Sequence, residues 1–186
     1  MNKAIVKIGI EELDSFFELL IGDNSDPIIS IGSGLGSIEA YLEDKYGKKI
    51  ICVDPDPSSW QEPSKESFLQ RTHTPDYNTC NDLIRDQPDS VGNSNLFLNW
   101  ALPNDNGENY DLKAIMDLKP KRILVICESS GGAGGNWFLH WYRDHVTNIS
   151  EFTESSKDFY WIGGIGKLDD DGGEVEVLGG LDEVVV

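Results

Sequence analysis

Apolar positions along the chain change period several times, and each change marks an element. Leu13, Phe16, Phe17 and Leu20 recur at i, i+3, i+4 and i+7, so Glu11 to Ile21 is expected to be an amphipathic helix packed on the body of the fold. Pro27 ends the polar DNSD turn, and the apolar run from Ile28 to Ile31 follows as a short buried strand. Ile38, Tyr41 and Leu42 give the next segment a helical stripe that Gly47 can terminate, and Ile50 to Val53 reads as a second buried strand. The two strands and the helix between them span about thirty residues, the size of a βαβ unit, whose strands should be parallel and whose crossover should be right-handed.

The pattern weakens from Pro55 to Val91, where prolines and polar residues dominate. Helices are expected near Ser64 to Gln70 and Asn78 to Arg85, and any third strand here is short or displaced. Periodicity returns with the strand Asn95 to Trp100. A helix from about Asp111 follows, with Leu112, Ile115, Met116 and Leu118 on its apolar side, and Pro120 ends it. Arg122 to Cys127 is a buried strand, Gly131 to Gly135 holds a glycine-rich junction, and Trp137 to His145 is expected to be helical. Phe159 to Leu168 and Glu174 to Leu178 read as extended runs joined by DDDGG, whose Asp-Gly step suits a hairpin turn.

This order predicts an α/β fold: an open, mostly parallel, doubly wound sheet with helices on both faces and a C-terminal antiparallel hairpin at the edge. A chain of 186 residues can bury roughly 70% of its unfolded surface, enough for one compact core. A single domain over 1–186 is expected, with the N-terminal helix at 11–21, the α/β body at 28–150 and an acidic β-hairpin region at 151–186.

Composition adds boundaries. There is no apolar run long enough to span a bilayer, and the first twenty residues carry acidic groups where a secretory signal needs an uninterrupted apolar stretch, so a cytoplasmic protein is expected. Cys52, Cys80 and Cys127 are far apart, and two of them lie inside apolar runs, which fits small core residues in a reducing compartment. Neither they nor His73, His140 and His145 show metal-ligand spacing, so no metal is expected. The formal charge of −18 opposes a phosphate backbone and makes nucleic acid a poor expected partner. Ten acidic residues against Lys157 and Lys167 in 151–186 read first as a solvated face and second as a surface for a basic protein partner.

The chemistry concentrates in IGSGLGS, where three glycines occupy five residues between strand and helix. A nucleotide phosphate loop needs a lysine after its last glycine, but Gly36 is followed by Ser37 and Ile38. Dinucleotide binding favours G-x-G-x-x-G. Here Gly32, Gly34 and Gly36 are spaced G-x-G-x-G, and Ser37 takes the place of that fingerprint's last glycine. Tight strand-helix packing in a fold that binds nothing at the turn is the plainer alternative.

Ile28 to Asp54 resembles the first motif region of class I, Rossmann-like S-adenosylmethionine-dependent methyltransferases. The resemblance implies a glycine turn that admits the amino-acid end of the cofactor and an acidic residue closing the second strand that accepts from the ribose hydroxyls. Asp54 matches that residue, 18 positions after Gly36. S-adenosyl-L-methionine is then the expected cofactor, with Ser30, Gly32, Ser33, Gly34, Gly36, Asp54 and Pro55 as its contacts. Ser30 departs from the family, many of whose members carry an acidic residue there that contacts the cofactor's amino group. Asn78, Asn81 and Asp82 are the candidates for the adenine edge.

For the acceptor, the resemblance draws attention to NLFLNWALPN, where amino-group methyltransferases of this superfamily often carry Asp or Asn with prolines and an aromatic. Asn99, Trp100 and Pro103 are similar, although the order differs, and Trp100 could equally fill the core. Trp137, His140 and Trp141 follow the glycine-rich junction, which would fall on the same rim of the sheet; His140 is the candidate proton acceptor, and a flexible junction with core aromatics is the alternative. The expected catalytic residues are Asn99, Trp100 and His140. The expected function is methyl transfer to an oxygen or nitrogen nucleophile of a small molecule or protein. A noncatalytic relative used for binding, and less readily an NAD(P)-binding oxidoreductase, are the alternatives.

Overall fold

A computed structural model describes residues 10–22, 25–57, 72–99, 110–128, 146–155 and 160–168. Six strands form one sheet: β1 (Ile28–Ile31), β2 (Ile50–Val53), β3 (Asn95–Asn99), β4 (Arg122–Glu128), β5 (Val146–Ser155) and β6 (Tyr160–Leu168), in the order β2-β1-β3-β4-β6-β5. The first four are parallel, with Ser30 beside Cys52 on one side and Phe97 on the other. β6 runs antiparallel to β4, and β5 antiparallel to β6. Because the chain passes from β1 outward to β2 and then back across to β3, strand order reverses at β1. A crevice outside the carboxyl ends of β1 and β3 is where such sheets bind ligands.

Strand residues point alternately to opposite faces, and each face is covered by a helix pair. Ile28, Ile50, Cys52, Phe97, Leu124 and Ile126 cluster with Leu13, Phe16, Phe17 and Leu20 of α1 (Ile10–Ile21) and Ile38 and Leu42 of α2 (Ser37–Tyr46). Ile29, Ile31, Val53, Leu96, Leu98 and Ile123 cluster with Cys80 and Leu83 of α3 (Cys80–Asp86) and Ala114, Ile115 and Leu118 of α4 (Tyr110–Leu118). The fully buried Phe17 and Phe97 contribute about 2 kcal/mol each by leaving water. The last carbonyls of α1, which have no partner inside the helix, are met from the sheet: Asn95 Nδ2 donates to Leu20 O over 2.9 Å and the Arg122 guanidinium to Leu19 O over 2.5 Å. Asp14 of α1 accepts from Tyr41 and pairs with Lys45, fastening α1 to α2.

Among the described residues of 55–91, where a short or displaced third strand is expected, the sheet gains a single parallel bridge between Val53 and Tyr77. The Tyr77 amide donates to Cys52 O, and its carbonyl accepts from Asp54 N, so the segment lies along the outer edge of β2 without extending. The antiparallel pair also differs from expectation: β6 pairs with β5, which precedes it, with a register shift between Asn148 and Ser150. The expected partner, Glu174 to Leu178, lies outside the described residues, as do the expected helices at Ser64–Gln70 and Trp137–His145. No helix among the described residues is long and apolar enough to cross a membrane.

Candidate functional site

The turn after β1 is built for a sharp reversal into α2. Gly32, Gly34 and Gly36 all have positive φ, at 79°, 55° and 64°, a backbone region that side chains disfavour. Their amides are used inside the protein: Gly32 N donates to Val53 O over 3.0 Å, Gly34 N to Asp54 Oδ2 over 2.7 Å, and Gly36 N to Ser33 O over 2.8 Å. The turn is therefore braced from below by the end of β2. At Gly36 the missing side chain makes room for protein: a Cβ there would stand 2.6 Å from the His73 carbonyl oxygen. His73 N also donates to Leu35 O, which holds residues 72–76 against the turn.

Asp54 sits at the tip of β2, 3% exposed, with Oδ2 on the Gly34 amide and Oδ1 accepting from Asp56 N over 2.9 Å. Burial pushes its carboxyl above the usual carboxylate range, and the two amide bonds oppose that shift. Each carboxylate oxygen can accept more than one donor, so these bonds still leave lone pairs for further donors. Pro55 beside it is exposed.

Across the crevice, Asn99 closes β3. Its Nδ2 donates to Glu39 Oε1 over 2.9 Å, and Ser30 Oγ donates to the same oxygen over 2.6 Å. One α2 carboxylate thus joins the carboxyl ends of β1 and β3 at the point of strand reversal. Glu39 is completely buried, and burial raises its pKa against the opposing effect of those hydrogen bonds. Its second oxygen, Oε2, has no hydrogen-bond partner among the described residues; Ser33 Oγ is likewise buried, beside the Cys52 thiol.

The structure therefore brings Ser30, Gly32, Ser33, Gly34, Gly36, Asp54, Pro55 and Asn99 to the ends of three adjacent strands. Trp100 and His140 lie outside the described residues. Of the adenine-edge candidates, Asn78 and Asn81 are exposed, and the Asp82 carboxylate is engaged by Thr79 Oγ1 and Arg85 at the start of α3. Sequence reasoning missed Glu39. Its signal was a carboxylate directly beside Ile38 on the apolar stripe of α2, close after a serine that replaces an acid. It also missed the neighbourhood of His73, whose ring stands between Glu43 and Asp76 at 3.4 and 3.3 Å, with Cys52 in the same group.

The residues fit an S-adenosyl ligand on observations internal to the chain: a buried carboxylate oxygen without a hydrogen-bond partner among the described residues and the buried Ser33 hydroxyl border the turn, and the Asp54 carboxylate at the β2 tip keeps lone pairs for further donors. No family model and no curated protein sequence matches the chain. Solved structures do. TrmK from M. capricolum, in complex with S-adenosylhomocysteine, is 11% identical over 88% of this chain and 70% of its own, with a TM-score of 0.52. Sp1610 of Streptococcus pneumoniae, provisionally assigned as a tRNA (m1A22) methyltransferase and holding S-adenosyl-L-methionine, is 9% identical over 83% of this chain and 72% of its own, with a TM-score of 0.47. An rRNA methylase from Streptococcus thermophilus is 14% identical over 89% of this chain and all (100%) of its own, with a TM-score of 0.44.

These neighbours correct the expectation that acidity makes nucleic acid a poor partner, since RNA methyltransferases stand among the matching structures. Net charge is no ground for that expectation, because it sums the whole chain, and ten of the 33 acidic residues lie in 151–186, whereas a phosphate-binding face is a local property. At identities this low the likeness is one of fold, and the strand order agrees with it: the chain shares with TrmK an open, mostly parallel α/β, Rossmann-like fold.

Proposed function

We propose that this protein binds S-adenosyl-L-methionine in the crevice above β1 and β3 and transfers its methyl group to an oxygen or nitrogen nucleophile. The observation that carries the reading is the joint between Gly34 and Asp54, which sets a rigid, side-chain-free turn next to a buried carboxylate at the point of strand reversal. The turn from Gly32 to Gly36 would hold the amino-acid end of the cofactor, with Ser33 supplying a hydroxyl, and Asp54 would accept from the ribose hydroxyls. When bound, the cofactor supplies an electrophilic methyl group on a sulfonium.

Asn99 would orient the acceptor. The bond from its Nδ2 to Glu39 fixes which way its carbonyl oxygen points, and that oxygen can accept from the N–H or O–H of a nucleophile. Holding nucleophile and methyl carbon in line is most of what such a transfer needs, because alignment alone removes a large part of the barrier. The buried, unpaired cysteines Cys52 and Cys80 support a reducing, cytoplasmic setting as part of this reading.

Thermal unfolding in the presence of S-adenosylmethionine, S-adenosylhomocysteine, NAD and NADP tests it. A ligand at a hundred times its dissociation constant stabilises by about 2.7 kcal/mol. Stabilisation by the S-adenosyl compounds alone supports the proposal, and stabilisation by NAD or NADP in their place overturns it. Transfer of a labelled methyl group to RNA, protein and small-molecule pools then separates an enzyme from a binding protein of the same fold.

A further inference from the structure

Glu39 is an unusual group to find at the centre of this sheet's rim. Isolated carboxylates are rarely buried, because removing the charge from water costs several kcal/mol unless a cation or a full set of donors replaces the solvent. Here the donors are neutral: Ser30 Oγ and Asn99 Nδ2 both serve the same oxygen, with the backbone amide of Glu39 itself beside the carboxylate. Oε2 is buried and bonded to nothing among the described residues. Among the described residues His73 is the cation-capable side chain that acts on it, and that ring is already held between Glu43 and Asp76. The carboxylate is thus oriented by β1 and β3 and has no ion-pair partner among the described residues, at the crevice where the sheet reverses.

We propose that Glu39 is the anionic subsite that receives the ammonium group of the bound ligand's amino-acid end. The inference rests on the S-adenosyl reading above and adds a residue and a specificity to it. A carboxylate reached from helix α2 takes up the charge recognition that Ser30, two residues before the first glycine, has no charge to perform. Ser30 and Asn99 become positioning residues that hold Oε1, so that Oε2 is presented to a donor. The subsite selects for a primary ammonium, not merely for the adenosyl group.

Calorimetric titration with three ligands tests this: S-adenosylhomocysteine, its analogue with the amino group replaced by hydrogen, and 5′-methylthioadenosine, which has neither ammonium nor carboxylate. For the unmodified protein, S-adenosylhomocysteine should bind about tenfold or more tighter than the deaminated analogue, the scale of a hydrogen bond to a charged group. In Glu39→Gln that ratio should fall toward one, while 5′-methylthioadenosine binds both proteins alike. Equal binding of the first two ligands to the unmodified protein overturns the inference, and this arm needs no variant to fold. A uniform weakening of all three ligands by Glu39→Gln also overturns it, since that is what a purely structural carboxylate would do. If the unmodified protein binds none of the three, 5′-methylthioadenosine included, the S-adenosyl reading itself fails and this inference with it.

Discussion

The Gly34 amide donates to Asp54 Oδ2 over 2.7 Å, across 20 residues of sequence, and this bond locks the turn after β1 to the tip of β2. It makes the glycine turn and the acidic strand end one rigid unit, so a change at either should be felt at both.

Asp54→Ala removes the acceptor of two backbone amides, those of Gly34 and Asp56. Leaving buried donors unmade costs about 1–3 kcal/mol each, partly offset by relief of the carboxylate's own desolvation. A net loss of about 2 kcal/mol in urea unfolding is expected, together with loss of stabilisation by S-adenosylhomocysteine. Unchanged ligand stabilisation in this variant would remove Asp54 from the site.

Gly36 and Gly47 have the same φ of 64° but different surroundings. A Cβ at Gly47 meets nothing within 4 Å, whereas one at Gly36 meets His73 backbone. Gly47→Ala should therefore cost only the left-handed backbone penalty, about 1 kcal/mol. Gly36→Ala adds a clash with an atom that cannot swing away and should cost about 3 kcal/mol. Equal losses in paired denaturation curves would mean that the 72–76 segment yields.

Burial raises the pKa of Glu39, so the folded state binds its proton more tightly than the unfolded state does. The stability attached to this group is fully present below the ordinary carboxylate range and declines as pH rises through the raised value. Glu39→Gln keeps the shape and removes the charge. It should melt above the unmodified protein at neutral pH, and the two should converge in acid. Asp54 is shifted in the same direction, so the difference between the two melting curves isolates Glu39. A variant that melts lower at neutral pH would show that the charge is satisfied in the free protein.

Thr79 caps α3, its Oγ1 accepting from Asp82 N over 3.1 Å. Thr79→Ala should cost about 1 kcal/mol of stability. S-adenosylhomocysteine affinity should stay within about twofold, because the cap serves the helix; a larger loss in titration would move the adenine edge to this helix start.

The period of apolar residues determined β1, β2, the body of α1 and the start of β3 to within a residue, because burial on one face of a helix or both faces of a parallel strand is written in near neighbours. The glycine turn and Asp54 were legible for the same reason: backbone conformation and a strand's polar end are local. Strand order, the Tyr77 bridge at the edge of β2 and the pairing of β6 with β5 were decided in three dimensions, where segments compete for the same sheet edge. Glu39 shows the physical limit most clearly. A glutamate on a short helix reads as surface, and only the docking of α2 over β1 and β3 buries it and brings it to Asn99, 60 residues away. The chain alone supplied the glycine turn and the acidic strand end of the candidate site, and packing between distant segments determined which carboxylate is buried beside them.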